Sequence, residues 1–348
     1  MASLNVDLSA CRYRAMLGVG GIGSGTFFAL NGEHTLGREE SRSGHFIDRR
    51  DYCKLHIISH YVKVLLGEGF ATLPIGRVGD DEAGQRLLKE MGAAGLDLRH
   101  VRVVPGVQTL HSFCFLYPDG SGGNLTTDNS ACDLVGAEDV SRAEADFARY
   151  RSSGIALAVA EVPLPARREL LQMGTRYAFW RVAAFNSTEI VPAIGTGLLA
   201  EADLLALNRD EAAAAAGMRA DEAPPLSLVE AALARLRTSN PGLQVTVTAG
   251  KDGSWSWDGE CLRHVPAFPV KAVSTAGAGD AFLAGMIVGR VAGLDLDAAQ
   301  ELGTLVAAHA VTSPHTIDPR LERRSLHTFA VQNKLALSGR VDQLIQDT

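Results

Sequence analysis

An aspartate set just behind a run of small residues at the start of a helix can take a proton from a hydroxyl while the bare amides beside it hold an anion. The stretch Val273-Ser274-Thr275-Ala276-Gly277-Ala278-Gly279-Asp280-Ala281-Phe282-Leu283-Ala284-Gly285 has that composition. Missing side chains at Gly277 and Gly279 leave backbone N–H groups approachable, and the helix dipole adds partial positive charge at the same place. A phosphate fits there. Asp280 would then stand beside a bound anion, which is unfavourable unless the carboxylate accepts a proton from an attacking hydroxyl. The competing reading is a plain helix cap, with Asp280 satisfying amides two or three residues on. Downstream, Ala281, Gly285 and Gly289 recur every fourth residue, so one helix face lacks bulk and is expected to lie close against a sheet.

Such a site needs elements that hold it still. With 348 residues, 46% of them apolar and 21% charged, the chain can bury a full core. A net charge of −7 with no block of Lys and Arg argues against a nucleic-acid partner. The five cysteines are scattered, without Cys-x-x-Cys, which suggests neither a disulfide framework nor a zinc site and suits a reducing cytoplasm. No apolar run reaches the ~20 residues of a membrane span.

From Glu138 onward helical and buried-strand patterns alternate: 138–149, 155–161, 165–177, 179–186, 188–200, 203–207, with a further helix at 226–237 and strand at 244–248. Fully apolar strands separated by helices indicate a parallel sheet covered on both faces, with ligands beyond the strands' C-terminal ends. Asn186, Asn208 and Thr248 sit at such ends. Asn208-Arg209-Asp210-Glu211 also reads as a capping box opening an alanine-rich helix that ends at Gly217. Lys251, in the turn from Gly250 to Gly253, is a turn lysine or a phosphate contact.

Earlier in the chain, Gly18 to Gly25 imitates a dinucleotide-binding loop, but Phe27 to Leu30 reads as a strand where that fold needs a helix. Residues 35–47 suit an extended flap. A helical period covers 49–66, its polar positions, Lys54, His56 and His60 among them, forming a solvated face or part of a site. A strand at 70–75 leads into Gly76-Arg77-Val78-Gly79-Asp80-Asp81-Glu82-Ala83-Gly84, where Asp80 and Asp81 suit helix capping, then a helix to Ala94 closed by Gly95. Residues 108–117 and 124–127 flank a glycine-rich turn and read as a hairpin. A helix at 296–311, a break at Ser313-Pro314-His315 and an amphipathic tail helix complete the chain.

Three of these stretches, 76–84, 208–211 and 274–285, together resemble the ribokinase-like (phosphofructokinase-B type) carbohydrate kinases. The resemblance implies a three-layer α/β/α sandwich with a mainly parallel central sheet, formed as one domain over 1–348, and a small β lid drawn from about 23–47 and 108–128. It implies ATP-dependent phosphorylation of a hydroxyl on a sugar or sugar-like molecule. Asp280 is then the base, and Gly277, Ala278 and Gly279 hold the transferring group. Asn208 and Glu211 organise Mg2+ and phosphate, Glu211 through water. Thr248, Gly250 and Gly253 run along the nucleotide phosphates and His309 lines the adenine. A homodimer joined through the lids is implied as well. The chain departs from the pattern at Ser274, where relatives carry an Asp near a monovalent-cation site, so dependence on such a cation stays open. It also lacks the sugar-gripping Asp of the first strand and the following Gly-Gly-x-x-x-Asn. Asp48, His56 or Lys54 would replace that grip, with Thr109 in the lid and Asn186 as further substrate contacts. A nucleoside or sugar-phosphate kinase, or a catalytically degenerate ligand-binding member, are the alternatives.

Overall fold

A computed structural model describes residues 2–119 and 122–346. Gly120 and Ser121, in the expected glycine-rich turn, lie outside the described residues. In chain order the first part comprises β1 (Ala15–Val19), β2 (Gly23–Leu30), β3 (Gly44–Tyr52), α1 (Lys54–Leu66), β4 (Ala71–Gly79), α2 (Glu82–Ala93), β5 (Val101–Val104), β6 (Leu110–Leu116) and β7 (Gly122–Thr126). There follow α3 (Ala137–Ser141), α4 (Glu144–Arg149), β8 (Gly154–Ala158), α5 (Leu164–Arg176), β9 (Trp180–Ala184), α6 (Ser187–Gly195), β10 (Leu204–Asn208), α7 (Arg209–Ala216) and α8 (Pro225–Ser239). The chain continues through β11 (Gln244–Thr248), β12 (Ser254–Trp257), β13 (Leu262–Val265), α9 (Ala278–Val291), α10 (Leu296–Ala310), α11 (Arg323–Gln332) and α12 (Gly339–Ile345).

The central sheet has nine strands in the order β13-β12-β11-β10-β9-β8-β1-β4-β5, parallel from β11 to β5, with β12 and β13 antiparallel at one edge. Alternation of side chains sorts its residues between two cores. Met16, Ile155, Leu157 and Leu204 meet α1, α2 and α9 to α12, whereas Leu17, Val19, Ala156 and Leu205 meet α3 to α8. The sandwich therefore has the expected three layers, and its parallel strands all end on one side. On that side glycines bring α1 against the end of β1: a Cβ at Gly18 would stand 2.7 Å from Leu55 Cδ1, and one at Gly20, just past the strand, 3.0 Å from Leu55 Cβ.

A second sheet, β3-β2-β6-β7, forms the lid. β2 pairs antiparallel with β3 and parallel with β6, and a bulge between Gly25 and Phe27 shifts the β2–β3 register. Four expectations are corrected. The helix expected over 49–66 begins only at Lys54, because residues 49–52 finish β3, Asp51 and Tyr52 pairing with Gly25 and Ser24 beyond the bulge, which puts the exposed Asp48 on the lid and extends the lid to Tyr52. The helix over 138–149 breaks at Arg142–Ala143 into α3 and α4. The tail holds two helices, α11 and α12. Finally, the small face of α9 meets α10 rather than the sheet: a Cβ at Gly285 would come within 2.7 Å of Gly303 Cα, and one at Gly289 within 2.9 Å of Ala299 Cα. The two helix backbones touch, which fixes the direction in which the first turn of α9 points. No helix among the described residues is long and apolar enough to cross a membrane.

Candidate active site

Gly277 is the N-cap of α9, with φ 77°, in the left-handed region where a side chain is strained. Space excludes one as well, since a Cβ there would lie 2.8 Å from Thr316 O. The Ala278 N–H turns back to Thr275 O at 3.2 Å, so it is less open than its neighbours. Among the described residues no acceptor meets the N–H groups of Gly279 or Asp280. Two free amides at an exposed helix start therefore face the sheet's C-terminal side, where Thr248 Oγ1 lies 3.9 Å from the position of a Gly279 Cβ.

The side chain of Asp280 is partly buried and meets a cation: Lys54 Nζ stands 3.6 Å from Asp280 Oδ1. Lys54 opens α1, which the β1 glycines hold close. Asp280 above all, then Glu211 and Glu161, hold the Lys54 ammonium above the ordinary lysine range against the opposing effect of burial. One lysine thus answers three carboxylates at the ends of different elements.

Glu161 follows β8 at φ 75°, a conformation rare for glutamate and a local strain of the kind that gathers at working sites. Gly21 makes room for it, because a Cβ there would sit 2.5 Å from Glu161 Oε2. The same oxygen accepts the backbone N–H of Lys54 at 3.2 Å, which ties the start of α1 to the end of β8. Burial pushes the Glu161 carboxyl up to about 7, with Lys54 opposing and Asp280 adding to the rise. Since this value lies above the ordinary 4.5, the folded protein takes up a proton between the two, and stability falls as pH rises through that window. Glu161→Gln, which mimics the neutral acid, is expected to gain on wild type by about 1–3 kcal/mol between pH 5 and pH 8. Thermal unfolding at the two pH values measures this, and an equal difference at both would remove the buried charge as its cause.

At the end of β10, Asn208 Oδ1 accepts the Glu211 N–H at 2.8 Å and Glu211 Oε2 accepts the Asn208 N–H at 2.8 Å. The capping box is real, and it also fixes a buried carboxylate toward the site. Burial raises the Glu211 carboxyl and Lys54 pulls it down. Among the described residues its Oε1 meets no hydrogen-bond donor. Among the described residues no group of three His, Cys, Asp or Glu is arranged to hold a metal ion. A single backed carboxylate still fits Mg2+, which keeps several waters and takes few protein ligands.

The lid contributes Asp51. Its Oδ2 lies 3.6 Å from Cys114 Sγ, burial raises its carboxyl, and Gly25 leaves room for it, a Cβ there standing 2.5 Å from Asp51 Oδ2. The lid strand is pinned to the loop that abuts Gly277: Thr316 N–H donates to Arg50 O at 3.1 Å and Tyr52 N–H to Thr316 Oγ1 at 3.0 Å.

The structure thus gathers Asp280, Gly279, Lys54, Glu211 and Thr248, with Asn208 behind Glu211 and Gly250 in the turn after β11. Gly253 serves that turn, its φ of 86° and its tight approach to Val265 O both requiring glycine. Asn186 caps α6 at the end of β9, its N–H donating to Glu189 Oε2 at 2.9 Å. Four residues lie elsewhere. Asp48 is exposed on β3. His56 is buried under Tyr52 at 4.7 Å between ring centroids, where burial lowers its imidazole to about 3. Thr109 is buried with its Oγ1 between Gly79 N–H at 2.9 Å and Asp81 Oδ1 at 2.6 Å, the same Asp81 that caps α2. His309 is buried, its Nδ1 3.3 Å from Asp318 Oδ2 and its ring 5.2 Å from Phe329. Sequence reasoning missed Glu161 and Asp51. A lone carboxylate ending the apolar run 155–161 was the available signal for the first; the second was hidden inside the segment read as helix.

The family model described as pfkB family carbohydrate kinase matches residues 61–323. A deoxyribokinase of Salmonella typhi is 25% identical over 245 residues, covering 70% of this chain and 77% of that protein. A fructoselysine 6-kinase of Shigella flexneri is 29% identical over 244 residues, covering 67% and 80%. Among solved structures, ribokinase from Cryptococcus neoformans in complex with ADP superposes with a TM-score of 0.73 at 17% identity, over 91% of this chain and 99% of that one.

Proposed function

Since the chain belongs to the pfkB carbohydrate kinase family and phosphorylates sugars, we propose that ATP is its donor and that Asp280 is the base that activates the acceptor hydroxyl. The observation that carries this reading is the meeting of the Asp280 carboxylate with two unengaged amides, Gly279 and Asp280, at the start of α9. The ADP held by the Cryptococcus ribokinase supports ATP as donor. The substrate O–H gives its proton to Asp280 as its oxygen attacks the γ-phosphorus; the bond to the bridging oxygen breaks and its electron pair leaves on ADP. The free amides stabilise charge on the moving phosphoryl oxygens. Lys54 partly neutralises the carboxylates that would otherwise repel the nucleotide. Mg2+ supplies neutralisation of the phosphates, and Glu211, held by Asn208, would reach it through water. The lid with Asp51 closes over the sugar and excludes water, which competes with the acceptor. The five free thiols suit work in the cytoplasm.

A coupled ADP-release screen across sugars, sugar phosphates and nucleosides, with and without K+, tests this reading. Turnover on one class identifies the acceptor. ATP binding with no turnover on any alcohol would transfer the chain to the ligand-binding alternative.

The lid also supports pairing with a second copy. Phe28, Phe46 and Phe113 cluster on one lid face with ring centroids 5.2 to 6.5 Å apart, and Phe46 and Leu125 are 68% and 64% exposed. Such an exposed apolar cluster suits an isologous contact. Phe46→Glu is expected to convert a dimer to a monomer in sedimentation; a wild-type monomer would end this part of the proposal.

A further inference from the structure

At the N-terminal ends of the parallel strands, across the sheet from Asp280, lies a cleft of about 480 Å³ rich in arginine. Tyr13 precedes β1, Trp180 opens β9, Asp203 precedes β10, and Arg290 lies in the last turn of α9. The Tyr13 and Trp180 rings, 5.8 Å apart and buried, form the floor, with the Arg12 guanidinium 5.2 Å over the first and that of Arg290 6.0 Å over the second.

The charges are unevenly answered. Arg181 is fully engaged, its Nε donating to Asp203 Oδ2 at 3.0 Å and its Nη1 to Thr175 Oγ1 at 2.7 Å. That uses the carboxylate of the cleft. Arg12 is exposed, and neither it nor Arg290 has a carboxylate partner among the described residues. Arg290 Nη1 donates to Leu294 O at 2.7 Å, but its Nε is buried with no acceptor. Both cations act on the Tyr13 phenol, offsetting part of the rise that burial imposes. Two guanidiniums without a carboxylate partner, one with a buried idle donor, await an acceptor-rich anion.

We propose that this cleft binds the phosphate group of a small phosphorylated metabolite, with Arg12 and Arg290 on the phosphate and the buried Tyr13 and Trp180 rings beneath the two guanidiniums, and that its occupancy is felt at the active site through α9. Asp280 and Arg290 are ten residues apart on that helix, about 15 Å along its axis. The backbone contacts of Gly285 and Gly289 with α10 make α9 move as one piece. A ligand that draws on Arg290 therefore bears on the turn that carries Asp280.

The test is a calorimetric titration of the full chain with inorganic phosphate, AMP and ribose 5-phosphate, in wild type, Arg12→Ala and Arg290→Gln. Saturable binding weakened about 10-fold or more in either variant is expected, with the esters tighter than phosphate; a preference for AMP or for ribose 5-phosphate assigns the source. In Arg12→Ala, whose exposed side chain the fold does not need, Mg-ATP turnover without the ester should match wild type, and the ester's effect on turnover should disappear. No saturable binding up to about 20 mM, a millimolar floor of affinity, would overturn the site, as would binding unchanged in both variants. Esters no tighter than phosphate would overturn the assignment to a phosphorylated metabolite. Binding without any effect on turnover would overturn the coupling. The binding experiment does not depend on the kinase mechanism proposed above, so the two can fail separately.

Discussion

Asp280→Asn is expected to lower kcat at least ~100-fold while leaving Mg-ATP affinity close to that of wild type. The substitution keeps the shape of the side chain and its place in the first turn of α9, so the amides of Gly279 and Asp280 remain where they are. What it removes is a group able to take the acceptor's proton. Without that transfer the attacking oxygen must develop positive charge as it bonds to phosphorus, and the barrier rises. In the proposed mechanism ATP binding draws on the amides and on Lys54, neither of which needs the proton. Steady-state turnover with titration of the nucleotide separates the two quantities. Near-normal turnover would reduce Asp280 to a helix cap; a parallel loss of ATP binding would assign it to positioning the phosphates.

The second large effect falls on Lys54. Replacement by Met leaves Asp280, Glu161 and Glu211 facing each other with no cation, since Lys54 is the positive group whose field all three share. Mg-ATP then approaches a more negative site. For charges a few ångströms apart in a partly solvated cleft the interaction is worth about 1–2 kcal/mol, so ATP affinity is expected to fall roughly 10-fold. The deficit should be greater at low ionic strength, because salt screens the exposed part of the field. Lys54→Arg restores the charge and should recover most of the affinity. A loss indifferent to salt and not recovered by arginine would mean that Lys54 acts by shape, as a spacer between α1 and α9.

Much of this arrangement is legible in the sequence because it is local. Gly277 to Asp280 and Asn208 to Glu211 are short strings whose backbone geometry follows from residue type, so the helix starts appear where the strings predict them. The parallel sheet is legible for a related reason: strands such as β1 and β8 are buried on both faces and carry no polar residue to confuse the period. What stayed hidden depends on contacts between distant elements. The end of β3 satisfies a helical period as well as β2 does a strand, and only pairing with β2 decides that 49–52 extend the lid. The small face of α9 announces a close neighbour but not its identity, because a sheet and the backbone of α10 make the same demand. From sequence Lys54 is a polar helix position or a substitute for the missing sugar grip, not a partner of Asp280. Its role follows from the glycines of β1, which bring α1 near enough for its first residue to reach Asp280.

The pairing of β2 with β6 has a consequence for how the chain comes into being. Thr26 and His111 touch across 85 positions, and α1, β4, α2 and β5 all lie between them. During synthesis the β2–β3 hairpin leaves the ribosome with one edge open and Phe27 and Phe28 beside it, and it waits until residue 116 has emerged. Closing so long a loop is entropically costly and slow, and an unpaired apolar edge is the surface on which nascent chains join one another. The lid sheet is thus completed only after that wait, and the longer the edge stays uncovered the lower the expected yield of native protein.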